Sequence, residues 1–296
     1  MAAFVALFGG LGLGLDIGVN GYLDEGGVPL PLISFVSLGF ASALSAVSWF
    51  GGAEIVLSTL QAEPLDPTDD EHRQLRNIVT EMALAAGLPM PRVYVIPDPA
   101  PNALATGRDP AHATIAVTQG ALEILDREET QGVVAHEMAH IANRDTLTMT
   151  VAGVLVGGIA LLADYGRRSL FHGRGGRRGR ALLPFVLLLL LISPFLSRLL
   201  AMAISRQREY LADATAVQFT RNPLGLLRAL EKIGGAPTSR PGRATQGTAH
   251  LFICDPLHRA SDEHEGRIAN LLSTHPPLRL RLAILRALAQ GAHSIG

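Results

Sequence analysis

Two histidines four residues apart, His136 and His140 in "HEMAH", share one face of a helix, where two imidazoles can meet one ion. Glu137 lies about 100° around that helix from His136, close enough to handle a metal-bound water without coordinating the metal. Catalytic zinc takes three protein ligands and leaves one position for water. The pKa of that water falls to about 7, so a carboxylate can take its proton. The third ligand should be another acid or histidine on a second helix. The stretch "SRQREYLADATA" (205–216) offers Glu209 and, four residues on, Asp213 on the same face. Glu209 can complete the triad, and Asp213 is then placed to accept the other N–H of a ligating histidine. Taken alone, such an acidic pair on an arginine-rich helix is a solvated one. The HEMAH helix gives it a second meaning.

The elements that must position these residues are unusually apolar. Four hydrophobic runs occur, at 2–19, 29–50, 147–163 and 181–204, each long enough to span a bilayer or nearly so. In the first, Gly10, Gly14 and Gly18 share a helical face that another helix could approach closely. Asp16 is expensive in lipid there and calls for a partner. No proline or loop signal separates His140 from the third run, which starts seven residues later, roughly 10 Å along a continuous helix. The fourth run leads straight into Glu209. The sequence therefore predicts that both metal-bearing helices are extensions of a hydrophobic hairpin, which would hold the ion just off the bilayer. A break near Asn143–Asp145 would remove that continuity.

Orientation is less easily satisfied. The connector at 20–28 is acidic, and the segments after the second run are basic. The positive-inside rule thus places the metal site in the cytoplasm. The connector "DYGRRSLFHGRGGRRGR" carries six arginines, which would lie outside if runs three and four both cross. Either the first hairpin dominates orientation, or the second enters without crossing.

Between the spans, 66–88 reads as an amphipathic helix, acidic in its first turn and stopped by Gly87 and Pro89. "RVYVI" (92–96) alternates as a strand does. Two short strands then flank the turn at Arg108–Asp109–Pro110, with a helix from about Gln119. Helices are expected over 204–220 and 223–233, a loop over 234–249, and a closing amphipathic helix in "HPPLRLRLAILRALAQ". Hydrophobic residues make up 48% of the 296 positions and charged ones 17%, so some apolar length must face something other than water. With a net charge of −1, nothing points to nucleic acid as a partner. The single cysteine, Cys254, excludes an intramolecular disulfide and reads as a small buried hydrophobe.

With "PNALATG" (101–107), "IAVTQGAL" (115–122), "VVAHEMAHIANRDTLTM" (133–149), "SRQREYLADA" (205–214) and "THPPLRLR" (274–281) in order, the chain resembles the HtpX-like membrane zinc metallopeptidases. These are gluzincin-type relatives of the CAAX prenyl proteases. The resemblance implies an α+β fold: a mainly α-helical membrane protein with a small antiparallel sheet beside the HExxH helix. It implies one zinc ion on His136, His140 and Glu209, Glu137 as general base, and Asp213 as partner of a ligating histidine. The family's substrate-side strand maps to Asn102, Ala103, Leu104, Ala105 and Thr106, with 114–118 beside it. A peptide could add to such an edge by main-chain hydrogen bonds. His275 and Arg281 match positions near the scissile carbonyl, where they could steady the oxyanion. The expected organisation is an N-terminal hairpin (1–64), a first catalytic part (65–146), a second hairpin (147–203) and a second catalytic part (204–296).

The expected activity is a multi-pass endopeptidase of a bacterial inner membrane, degrading misfolded or damaged membrane proteins from the cytoplasmic side. Its partners would be unfolded or membrane protein substrates and the lipid bilayer. Two other readings compete. A CAAX-type processing protease would need a helical chamber, which four hydrophobic runs are too few to build. A membrane scaffold with a structural zinc would need a fourth protein ligand, and none is evident near these motifs.

Overall fold

Asp69 caps the first polar helix by accepting from the backbone N–H groups of Glu71 and His72, and Gly87, at φ 65°, ends it. Similar local signals set most of the chain. The computed structural model describes residues 1–20, 31–155, 206–236, 248–254 and 276–293. In order the elements are α1 (Ala2–Asn20), α2 (Leu32–Thr59), β1 (Glu63–Pro64), α3 (Asp70–Ala86), β2 (Arg92–Ile96), β3 (Ala103–Gly107), β4 (Ala113–Thr118), α4 (Gln119–Ile124) and α5 (Arg127–Ala142). They continue with α6 (Asp145–Leu155), α7 (Arg206–Thr220), α8 (Pro223–Gly235) and α9 (Leu278–His293). The fourth apolar run and the arginine-rich connector lie outside the described residues.

The chain divides into two compact units, Met1–Gly52 and Ala53–Gly296. In the first, the Asp16 carboxylate accepts from the backbone N–H groups of Ile33 (3.1 Å) and Ser34 (2.8 Å) and from the Ser34 hydroxyl (2.7 Å). The costly acid of α1 thus satisfies the orphan donors at the start of α2. Gly9 and Gly12, rather than Gly10, stand at the close approach of the two helices, while the surroundings of Gly14 and Gly18 lie outside what is described. A Cβ on Gly9 would strike Leu38, and one on Gly12 would lie 2.7 Å from the Ser34 Cα, whereas Gly10 faces open space. Helix α2 alone, among the described residues, is long and apolar enough to cross a membrane by length and composition. Phe35, Val36 and Phe50 are exposed on it.

The second unit is built around α5. Burial covers every side of this helix from Val133 to Ile141, as expected of a helix enclosed by others rather than amphipathic. Asp126 and Glu129 form a reciprocal capping box at its start. Helices α3, α7 and α8 pack around it, and the sheet lies alongside. Strand order is β1–β2–β4–β3. The β1/β2 and β3/β4 pairs are antiparallel, but β2 and β4 run parallel, with Arg92 opposite Thr114 and Ile96 opposite Thr118. The expected antiparallel sheet is therefore mixed. Gly107, at φ 137°, lies where the chain folds back to pair β4 with β3, and the β2–β3 connection carries β3 past the place beside β2 that β4 then takes. A Cβ on Gly107 would meet the His112 carbonyl at 2.5 Å, so only glycine fits the turn.

Helices α5 and α8 meet through a pair of glycines. A Cβ on Gly132 would lie 2.4 Å from the Leu226 backbone nitrogen, and one on Gly225 would lie 2.6 Å from the Glu128 carbonyl oxygen. Helix propensity favours Gly132→Ala by about 1 kcal/mol, but overpacking against backbone costs about 1–3 kcal/mol. The variant is expected to be less stable in a denaturant titration of detergent-solubilised protein. An unchanged midpoint would show that α8 can shift freely.

Continuity of α5 into the third apolar run does not hold. Asn143 caps α5 by donating its N–H to the Ala139 carbonyl at 2.9 Å. Arg144 then turns left-handed, at φ 59°. A right-handed helix cannot pass through such a residue, so α6 begins afresh at Asp145. The feature that sequence periodicity hides is a corner placed directly after the second histidine.

Candidate active site

His136 and His140 leave α5 on one face, and Glu209, in the first turn of α7, comes up opposite them. All three side chains are buried, and their ligand atoms lie within 4.8 Å of one another. The His136 and His140 Nε2 atoms are 3.2 Å apart. Glu209 Oε2 is 3.7 Å from the first, and its Oε1 is 3.5 Å from the second. Nitrogen and oxygen donors at zinc bond lengths in a tetrahedron stand about 3.3–3.4 Å apart, so these residues fit one small metal ion. Glu137, 2% exposed, follows the first histidine, and its Oε1 has no protein partner. A buried carboxylate oxygen without a protein donor suits a site that takes a polar guest.

Each histidine is held from behind by its own carboxylate. His136 Nδ1 is 3.0 Å from Asp213 Oδ1, and His140 Nδ1 is 3.2 Å from Asp145 Oδ2. With Nδ1–H donating to these acids, both Nε2 lone pairs face the cluster. Asp213 is gripped in turn by Arg281, whose Nε and Nη2 donate to the two carboxylate oxygens at 2.9 and 2.7 Å. Arg281 Nη1 also donates to the Ile253 carbonyl at 2.9 Å and lies 3.6 Å from Glu209 Oε2. Asp145 Oδ1 accepts from Arg208 Nη1 at 3.0 Å.

The field in this pocket follows from burial and from those pairings. Burial pushes the Glu137 carboxyl up to about 7, the Glu209 charge adding to it against His140, Arg281 and the Ala105 amide. Burial would raise Asp213 as well, but the Arg281 charge and the His136 hydrogen bond overcome it and hold the acid down at about 2. The two histidines move apart. Burial, with Arg281 and His140 adding, drives His136 down despite Asp213. For His140 the Asp145 hydrogen bond and the charges of Glu209 and Glu137 outweigh burial and hold it up. The field therefore favours positive charge at His140 Nε2, which a metal ion supplies as well as a proton does.

The segment from Asn102 to Thr106 borders the site. Asn102, Leu104 and Thr106 turn their backbone groups toward β4, and Ala103, Ala105 and Gly107 turn theirs outward. Much of that outer edge is already engaged. Ile253 N–H donates to the Ala103 carbonyl at 2.9 Å, and Phe252 bridges Leu104 in antiparallel sense. The Asn102 side chain clasps the Cys254 backbone, donating to its carbonyl at 2.8 Å and accepting from its N–H at 3.3 Å. At the other end, the Gly107 N–H and the Thr106 hydroxyl meet Thr150 of α6. Leu251, Phe252 and Ile253 are all buried, so this short strap is a fixed neighbour of β3.

The structure thus brings together His136, Glu137, His140, Glu209, Asp213 and Arg281, with β3 alongside. Arg281 is committed to Asp213 and the Ile253 carbonyl, and its fork also lies 3.6 Å from Glu209 Oε2 and 3.5 Å from the His136 ring nitrogens. His275 lies outside the described residues. Sequence reasoning missed Asp145, Arg208 and the strap at 251–254. The first had a signal: an acid five residues past His140 becomes a partner as soon as "NRD" is read as a helix stop rather than as helix.

Peptidase family M48 matches residues 69–289. A protein named Protease HtpX homolog from Caldanaerobacter subterraneus subsp. tengcongensis is 48% identical over 244 residues, covering 79% of this chain and 78% of that one. One of the same name from Lactobacillus acidophilus is 38% identical over 293 residues, covering 95% and 93%. The crystal structure of S. mikatae Ste24p aligns with a TM-score of 0.49 at 18% identity, over 96% of this chain and 64% of that one. The match spans three quarters of the sequence and includes the whole His136–His140–Glu209 cluster, so the chain belongs to peptidase family M48 and is an HtpX-like metalloprotease.

Proposed function

We propose that this protein is a membrane-integral zinc endopeptidase, with one zinc per chain, that degrades misfolded or damaged membrane proteins at a bacterial inner membrane. The observation that carries the reading is the convergence of three buried donors at 3.2–3.7 Å beside an uncommitted carboxylate oxygen of Glu137. His136, His140 and Glu209 would hold the zinc, which when bound polarises the scissile carbonyl and acidifies water. Glu137, raised by burial, accepts a proton from the attacking water and returns it to the leaving amine. Asp213 keeps His136 in the tautomer that presents Nε2. Arg281 acts through Asp213 and also brings positive charge near Glu209, and His275 remains the candidate for direct contact with the oxyanion. Since the strap engages the Ala103 carbonyl and Thr150 engages the Gly107 N–H, a peptide aligned on the outer edge of β3 would meet it at Ala105.

Exposed apolar side chains along α2 support a membrane location. The acidic 20–28 connector supports a cytoplasmic active site. Zinc content and hydrolysis of a quenched peptide, measured on detergent-solubilised protein with and without a chelator, test the reading. One zinc per chain is expected, with hydrolysis lost on chelation and restored by added zinc. Zinc retention without hydrolysis would instead indicate a scaffold with a structural metal.

A further inference from the structure

We infer that Asp145 is a positioning residue for His140, and that Arg208 anchors it, forming a second histidine–carboxylate–arginine relay behind the metal cluster. The inference rests on the zinc reading above and concerns residues to which that reading gives no task. His136 is backed by Asp213 and Arg281. His140 is backed by an arrangement of the same chemistry, Asp145 Oδ2 at 3.2 Å from Nδ1 and Arg208 Nη1 at 3.0 Å from Oδ1.

Three observations give the second relay its function. Asp145 is 5% exposed, so its carboxylate has little water to turn to and its two oxygens go to His140 and Arg208. Its acceptor oxygen meets the imidazole nitrogen that faces away from the cluster. An Nδ1–H bonded there leaves the Nε2 lone pair pointing at His136 and Glu209. The left-handed turn at Arg144 puts Asp145 in place. A helix continuing past Asn143 would carry residue 145 around to a different face from His140, since five residues correspond to about 500° of rotation.

Arg208 extends the role. It immediately precedes Glu209, and its bond to Asp145 joins α7 to the corner between α5 and α6. The third ligand and the second are therefore braced against the same carboxylate. Its side chain is 41% exposed, so the contact is solvent-screened and its effect should be smaller than that of Asp145. Arg281, buried on the other side, has no such screening.

The test uses full-length detergent-solubilised protein and zinc itself as the probe. Zinc Kd is measured by competition with a chromophoric chelator, and the absorption spectrum is recorded after cobalt substitution. Asp145→Ala is expected to weaken zinc by about 10–100-fold and to alter the cobalt bands. Asp145→Asn, whose amide oxygen still accepts from Nδ1–H, should lose less, about 3–10-fold, and Arg208→Gln should fall at or below that range. Thermal midpoints of the metal-free proteins separate a binding effect from a folding one. A lower midpoint with Kd within twofold of wild type and an unchanged cobalt spectrum would make Asp145 a structural corner only and overturn the inference. If Asp145→Ala does not fold, Asp145→Asn decides on the same criteria. Wild-type protein that binds no zinc would remove the metal reading itself, whereas wild-type binding matched by all three variants removes only this inference.

Discussion

Glu137→Gln is expected to retain zinc at the wild-type level and to lose cleavage of casein or a quenched peptide by about 10²–10⁴-fold, the usual contribution of a positioned acid–base group. The substitution is nearly isosteric. It removes only the capacity to accept and return a proton, because Glu137 stands outside the His136–His140–Glu209 cluster. The fold should tolerate it. Burial already disfavours the charged form of this carboxyl, pushing it up to about 7, so a neutral amide imposes no new desolvation. Metal analysis and a melting curve on the same preparation check both points. Undiminished turnover by the zinc-loaded variant would remove Glu137 from the mechanism, and loss of zinc would show that it also supports the ligands.

Arg281→Met is expected to be the most destabilising single change at the site. Arg281 is 1% exposed and makes two short bonds to Asp213, itself buried and held down at about 2 by that partner. Removing one member of a buried pair leaves the other charge uncompensated and costs about 3–5 kcal/mol. The Ile253 carbonyl loses its donor as well, which loosens the strap on β3. Denaturant titration should show the loss, and Asp213→Leu in the Arg281→Met background should recover much of it, since the pair is then replaced by apolar groups. Activity separates the two roles the residue could have. The double variant also lacks the acid behind His136, so Asp213→Leu alone is the proper reference. If the double variant turns over as well as that reference, Arg281 acts by holding Asp213. If it falls a further 10²-fold or more, Arg281 also contacts the reacting carbonyl.

Much of this molecule was legible from local pattern. The i, i+4 spacing of His136 and His140, and of Glu209 and Asp213, is a property of any α-helix, so the face they share follows from sequence alone. Caps at Asp69, Gly87 and Asp126 are likewise short-range chemistry, and α3, β2, α7, α8 and α9 form close to where the pattern places them. Asp16 announced a partner because an unpaired acid in an apolar helix is costly, though only the fold supplied it, at the N-terminus of α2. Strand pairing was less visible. Two short strands around the turn at 108–110 are legible, but which neighbour each strand takes depends on how the β2–β3 connection crosses the sheet. That crossover leaves β4 parallel beside β2.

The sequence by itself determined which side chains share a helix face, His136 with His140 and Glu209 with Asp213, and the order of the elements, because both depend on spacings within single helices and on side-chain chemistry. Only the tertiary structure decided that His136, His140 and Glu209 converge and what stands behind them. Asp145 reaches His140 because one left-handed residue interrupts a helix that periodicity would have continued. Arg281 and Ile253 join Asp213 and Ala103 from segments at least 68 residues away along the chain. Contacts of that kind leave no periodic trace, since they come from the packing of separate elements.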